Sequence, residues 1–168
     1  DILNSILESL SRIDYIKPGE IPNIDLYMDQ VTTFMDEQLS STKRYEEDKI
    51  LTKTMINNYT KNNLLPPPVK KKYSREHVLI LIFIYYFKNI LSIKDIETVL
   101  TPLTEKYFSG AAPMDLSSVY KEVCEMEKGR IKPLQESVRE AYEKSMSAFS
   151  EIPDGEDRDE LKLFAFIC

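Results

Sequence analysis

The sequence predicts an all-α protein that carries one small β-ribbon. Three observations lead there. Apolar residues recur at helical spacing along most of the chain, as in Ile24, Tyr27, Met28, Val31, Phe34, Met35 and Leu39. Glycine occurs only 4 times, too seldom for the tight turns of a β-rich fold. Pro66–Pro68 break the helical pattern, and the short basic stretch Val69–Tyr73 behind them reads as a ribbon.

Ile2, Leu3, Ile6, Leu7, Leu10 and Ile13 form a first helical stripe, which Lys17-Pro18-Gly19 stops. A second helix is predicted over Ile24–Leu39, with Asn23 or Asp25 as its cap and acids in its first turn. Ser40–Asp48 reads as a polar linker. Thr52 caps a helix over Lys53–Asn62 whose inward face is Met55, Ile56 and Tyr59. Asn62-Asn63 suits a left-handed cap, and Leu64-Leu65 returns to the core. Ser74 caps a helix reaching about Lys88, apolar around most of its circumference and therefore expected at the centre of the core. Ser92 caps the next helix, with Ile93, Ile96, Val99 and Leu100 inward. Thr101-Pro102 is expected to end it, before a short helix over Leu103–Phe108. Leu116, Val119, Tyr120, Val123 and Met126 form one further helical pattern. Beyond a turn or kink at Gly129–Pro133, Ile131, Leu134, Val138, Tyr142, Ser145 or Met146, and Phe149 form another. Together they suit a coiled-coil seam or helical hairpin. Pro153–Asp159 is an acidic turn, and Leu161–Cys168 begins an apolar helix. The chain opens on Asp1 and ends within that apolar run, which leaves room for flanking sequence.

With 168 residues, 42% hydrophobic and 30% charged, the chain has the composition of a globular protein. Its most apolar run, Val78–Phe87, is about half the length of a membrane span. Two distant cysteines, Cys124 and Cys168, make no disulfide framework, so a reducing cytoplasm is the expected location and no membrane partner is expected. The net charge of −6 excludes a surface that is basic throughout. Its distribution is uneven. Residues 1–42 carry two basic and eight acidic groups, whereas residues 43–77 carry nine basic and four acidic. The positive charge is concentrated where phosphate attraction would use it, although solvated surface lysines give the same count.

Chemistry-bearing constellations are otherwise few. His77 is the only histidine and reads as a partly exposed residue at a helix start. It has no His or Cys partner at ligand spacing, and no nucleophile pairing or glycine-rich phosphate loop accompanies it. Cys124 and the Tyr85-Tyr86 pair read as core. No enzyme, metal or cofactor is expected. The outward face of Lys53–Asn62 is different. Lys53, Thr54, Asn57, Asn58 and Lys61 are the short polar and cationic side chains that a major-groove reader uses, and Asn pairs bidentately with adenine. Lys70, Lys71 and Lys72, with Tyr73 and with Arg75 at a helix start, would lie along the phosphate backbone and set register. An exposed polar helix face is the competing reading.

The stretch MINNYTKNNLLPPPVKKKYSREHVLILIFIYYFKNILSIKDIETVL resembles the winged helix-turn-helix domain of MerR-type regulators. There a recognition helix runs into a Leu-Leu-Pro-Pro segment, a basic wing and two further helices. Ile56, Tyr59, Leu64, Leu65, Pro66, Pro67, Tyr73, Ser74, Val78, Ile93, Ile96 and Leu100 fall on that pattern. Asn57 and Asn58 stand where it has Arg and Tyr, and Asn63 stands where it has Gly. From Ile21 to Leu100 and on to about residue 165 the chain is also similar to a bacterial family described as domain of unknown function 1836. The MerR resemblance implies a DNA-binding transcriptional regulator built as three parts: an N-terminal helical arm (1–19), a winged-helix domain (20–101) and a C-terminal helical region (102–168). Double-stranded DNA is then the expected partner. One such domain covers little groove surface, so a homodimer formed through the C-terminal helices is expected as well. Those helices leave room for a small-molecule effector that no residue identifies. The alternative is a protein-interaction module that keeps the fold without DNA binding.

Overall fold

The computed structural model describes residues 2–11, 15–43, 45–110 and 112–168. The chain is mostly helical and divides into two compact units, a core unit of residues 15–124 and a terminal unit of residues 1–14 with 125–168.

In the core unit, β1 (Leu26–Tyr27) leads directly into α2 (Met28–Leu39); α1 (Ile2–Ser11) belongs to the terminal unit. Next come α3 (Lys53–Lys61), β2 (Lys72–Tyr73), α4 (Arg75–Phe87), α5 (Ile93–Tyr107) and the start of α6 (Leu116–Lys128). α4 is the centre. Nine consecutive residues, His77 to Tyr85, are buried, which requires neighbours on every side of the helix. Val31, Met35 and Leu39 of α2, Ile56 and Tyr59 of α3, Ile96 and Leu100 of α5, and Leu116 and Tyr120 of α6 share the same core. The Tyr120 hydroxyl donates to the Ile16 carbonyl at 2.6 Å, and burial pushes its pKa up.

The caps follow the residue chemistry. Thr52 Oγ1 accepts from the Met55 N–H at 3.1 Å, and Ser92 Oγ accepts from the Asp95 N–H at 3.2 Å. At the end of α3, Asn63 adopts φ 58°. The N–H groups of Leu64 and Asn63 reach back to the Tyr59 and Thr60 carbonyls at 2.9 and 3.2 Å, a Schellman motif that seats Leu64 and Leu65 in the core.

Several expectations are corrected. Residues 24–27 are not the first turn of α2. Leu26 and Tyr27 are extended and pair antiparallel with Tyr73 and Lys72, leaving Ile24 and Tyr27 exposed. The sheet takes the backbone groups that a helix would have used, and Gln30 Oε1 accepts the Tyr27 N–H at 2.8 Å in the new cap. α5 does not stop at Pro102 but runs through it to Tyr107. Of the four residues expected to face inward there, Ile96 and Leu100 are buried, whereas Ile93 and Val99 are exposed. The linker after α2 is tied down: Lys43 pairs with Asp36 at 2.8 Å, Thr42 Oγ1 bonds the Tyr85 hydroxyl, and Lys88 Nζ donates to the Ile50 carbonyl at 3.0 Å.

The terminal unit holds α1, α7 (Ile131–Met146) and α8 (Glu156–Ile167), with α7 packed against both others. Gln135 Nε2 donates to the Leu7 carbonyl at 3.3 Å, and Tyr142 meets Phe166 edge-on at 5.3 Å. Ile13, expected in the first helical stripe, lies outside the described residues. No helix among the described residues is long and apolar enough to cross a membrane.

Candidate nucleic-acid interface

The helix α3 turns Ile56 and Tyr59 into the core, and this orientation leaves Lys53, Thr54, Asn57, Asn58 and Lys61 exposed. The five side chains predicted for the outward face therefore do share it. For 54, 57, 58 and 61 exposure follows from the 3.6-residue period, because burying 56 and 59 places them on the opposite side, whereas Lys53 lies at the edge of that face and is exposed as the first residue of the helix.

The wing is smaller than the sequence suggests. Val69 and Lys72 exchange two backbone hydrogen bonds, 3.0 and 2.9 Å, around a two-residue turn. Lys70 and Lys71 form that turn with φ 50° and 65°. A turn with both central residues left-handed favours Asn and Gly, and each lysine carries strain of about 1 kcal/mol there. Both lysines are exposed at the tip. Lys72 is half-buried, with its Nζ 5.2 Å from the centre of the Tyr27 ring.

Residues 27–29 connect the two features. Tyr27 pairs in the ribbon with Lys72, and two residues later Asp29 forms an ion pair with Lys53 at the start of α3. The wing and the N-terminal end of α3 thus both meet one short segment, and both pack against α2.

Two predicted phosphate-contacting residues are corrected. Tyr73 is 3% exposed and belongs to the core, edge-on to His77 at 5.5 Å. Its backbone pairing with Leu26 forces the alternation: Lys72 faces outward, so Tyr73 faces in. Arg75 does not lie open to a phosphate. Its guanidinium donates to Ser117 Oγ at 2.9 Å, Asn23 Oδ1 at 2.9 Å, the Pro18 carbonyl at 2.8 Å and the Ile21 carbonyl. It is a clamp that joins the segment before β1 and the start of α6 to the start of α4.

His77 also departs from expectation. It is 2% exposed rather than partly exposed. Nδ1 accepts the Ser74 backbone N–H at 2.9 Å, so the ring proton sits on Nε2, which donates to the Pro67 carbonyl at 3.2 Å. Burial lowers its pKa and favours this neutral form. Sequence reasoning missed that His77 ties the proline segment to α4. The available signal was its position three residues beyond Ser74, where a side chain reaches back to the cap.

Among the described residues no group of three His, Cys, Asp or Glu side chains could hold a metal ion. An open groove of about 320 Å³ along α2 is lined by Pro22, Leu26, Thr33 and Phe34 together with Asp29 and Glu37. No residue of α3 lines it, and it meets the α3 face only through Asp29, the partner of Lys53.

No curated protein and no solved structure matches the chain. Residues 16–123 match the family described as Domain of unknown function (DUF1836). The match coincides with the core unit and covers more than half of the sequence, so the chain belongs to that family.

Proposed function

We propose that the core unit binds double-stranded DNA in the manner of a MerR-like transcriptional regulator. In this reading α3 enters the major groove, where Asn57 and Asn58 read bases and Thr54 and Lys61 support them. Lys70, Lys71 and Lys72 follow the phosphate backbone. The observation that carries the reading is that the exposed α3 face and the basic wing lie beside each other, both packed against α2 and meeting the same segment, residues 27–29. The strained lysines at the wing tip support it, since a turn selected for stability alone would carry Asn-Gly. Tyr73 and Arg75 have no part in it.

The active species is proposed to be a cytoplasmic homodimer paired through helices of the terminal unit. What supports this is the apolar surface of α8, where Phe164 is 67% and Ile167 62% exposed, with Leu163 beside them. A small-molecule effector would act through the same helices. The alternative, a protein-interaction module on this fold, is favoured by the charge of the core unit, whose basic and acidic residues balance.

Electrophoretic mobility shifts over a salt series test the reading. Binding should weaken steeply as salt rises. Replacing Lys70, Lys71 and Lys72 by Ala should weaken binding to all duplexes and flatten the log–log salt slope by about 0.9 for each lysine–phosphate pair removed. Asn57→Ala should change the preferred sequence instead. If the dimer binds no duplex even at low salt, the interaction-module reading replaces this one.

A further inference from the structure

One lysine of the candidate interface is already engaged within the chain. Lys53 is the first residue of α3 and pairs with Asp29, in the first turn of α2. Both side chains remain open to solvent, at 61% and 75% exposure, so the pair is in reach of any incoming anion. The placement is electrostatically asymmetric. A cation at a helix N-terminus is disfavoured and an anion there is favoured. Asp29 thus suits its own helix and also neutralises the misplaced charge on the other. Helix geometry leaves the N–H groups of Lys53 and Thr54 without acceptors inside α3, whereas Thr52 Oγ1 serves Met55. The start of α3 therefore offers backbone donors and a cation, and a carboxylate now pairs with the cation.

On the DNA-binding reading, we propose that Asp29 occupies the place at Lys53 that a phosphate would take and acts as an intrachain competitor of DNA. An exposed ion pair exchanges easily, so it does not block a phosphate. It removes the gain, because Lys53 gives up one anion to receive another and Asp29 is left facing the backbone. Lys53 then adds little to sequence-independent attraction, and discrimination falls to Asn57 and Asn58. Asp29 is a positioning residue that sets how much of the affinity is non-specific.

The test is a double-mutant cycle read by fluorescence anisotropy on duplexes of unrelated sequence across a salt series, using the full chain. Asp29→Asn should steepen the salt slope by about 0.9, the value of one added lysine–phosphate pair, and tighten binding about fifteenfold at ~0.05 M salt and about fivefold at ~0.15 M. The gain should vanish when Lys53→Ala is also present. Asp36→Asn removes the same charge from the far end of α2, where Asp36 pairs with Lys43, and should leave the slope unchanged. An unchanged slope in Asp29→Asn overturns the proposal. So does an equal gain with Lys53→Ala or from Asp36→Asn, since either means the effect is only one of net charge. If neither the wild type nor Asp29→Asn binds any duplex at low salt, the DNA-binding reading itself has failed. Thermal melts of each variant confirm that the fold is intact.

Discussion

The two units hold together in different ways. In the core unit one helix, α4, buries nine residues in a row, and α2, α3, α5 and α6 close over it. In the terminal unit Leu7 is the only buried apolar side chain among the described residues, while Leu134, Leu161, Leu163, Phe164 and Ile167 are exposed. The charge divides in the same way. The core unit carries fourteen acidic and fourteen basic residues, so the whole net charge of −6 lies in the terminal unit. Helices in proteins are stabilised mainly by packing of an apolar face. The core unit supplies that packing internally, whereas the terminal unit leaves several of its apolar side chains exposed. The family match falls on the self-sufficient part.

Substitution in each unit separates the two cases. Leu81, fully buried in α4, should lose about 2–5 kcal/mol of stability on change to Ala, read by denaturant unfolding. Arg75→Ala should come next, at about 2–3 kcal/mol, because it strands two carbonyls that the guanidinium now serves. The salt slope of DNA binding should not change, which distinguishes a clamp from a phosphate ligand.

Acid should weaken the core unit through His77. Its folded pKa lies below the unfolded value of about 6.5, so the unfolded chain binds the proton more readily. The stabilisation is present above about pH 6.5 and is lost as pH falls through that value towards the folded pKa. Protonating Nδ1 would set its proton against the Ser74 N–H and undo the cap. Tm should therefore drop between about pH 7 and pH 5, and a His77→Asn variant, less stable at pH 8, should show a flatter profile.

The wing tip should show the reverse balance. Lys70→Asn with Lys71→Gly relieves two left-handed lysines and should stabilise the chain by about 1 kcal/mol, yet it should flatten the salt slope by about 1.8. The smallest effect is expected in the terminal unit. Phe164→Ala should change monomer stability by no more than about 0.5 kcal/mol, because the ring is already in water. Sedimentation should still show weakened self-association. A large stability loss there would erase the contrast between the units.

The core unit was the more legible of the two. Thr52, Asn63, Ser74 and Ser92 mark element ends by local chemistry, and the structure uses each at its predicted place. The outward face of α3 was readable for the same reason, since exposure at 54, 57, 58 and 61 follows from burial at 56 and 59. What could not be read locally depended on a distant partner. Residues 24–27 fit a helical stripe, but Lys72 and Tyr73 recruited 26 and 27 into a ribbon. Tyr73 and Arg75 sit in a basic stretch and look like phosphate ligands, yet Leu26 turns Tyr73 inward and Pro18, Ile21, Asn23 and Ser117 take up Arg75. Pro102 signals a break that α5 does not make.

The sequence by itself determined the mostly helical class, the centrality of α4, the caps of α3, α4 and α5, though not that of α2, and the polar face of α3. These depend on periodicity and on hydrogen bonds spanning three or four residues. Only the tertiary structure decided which cations are spoken for. Whether a lysine or arginine is open to a phosphate depends on acceptors far away in the chain: Asp29 for Lys53, and the carbonyls of Pro18 and Ile21 for Arg75. A charge can be counted in one dimension, but its availability is set by the groups that folding brings within a few ångströms of it.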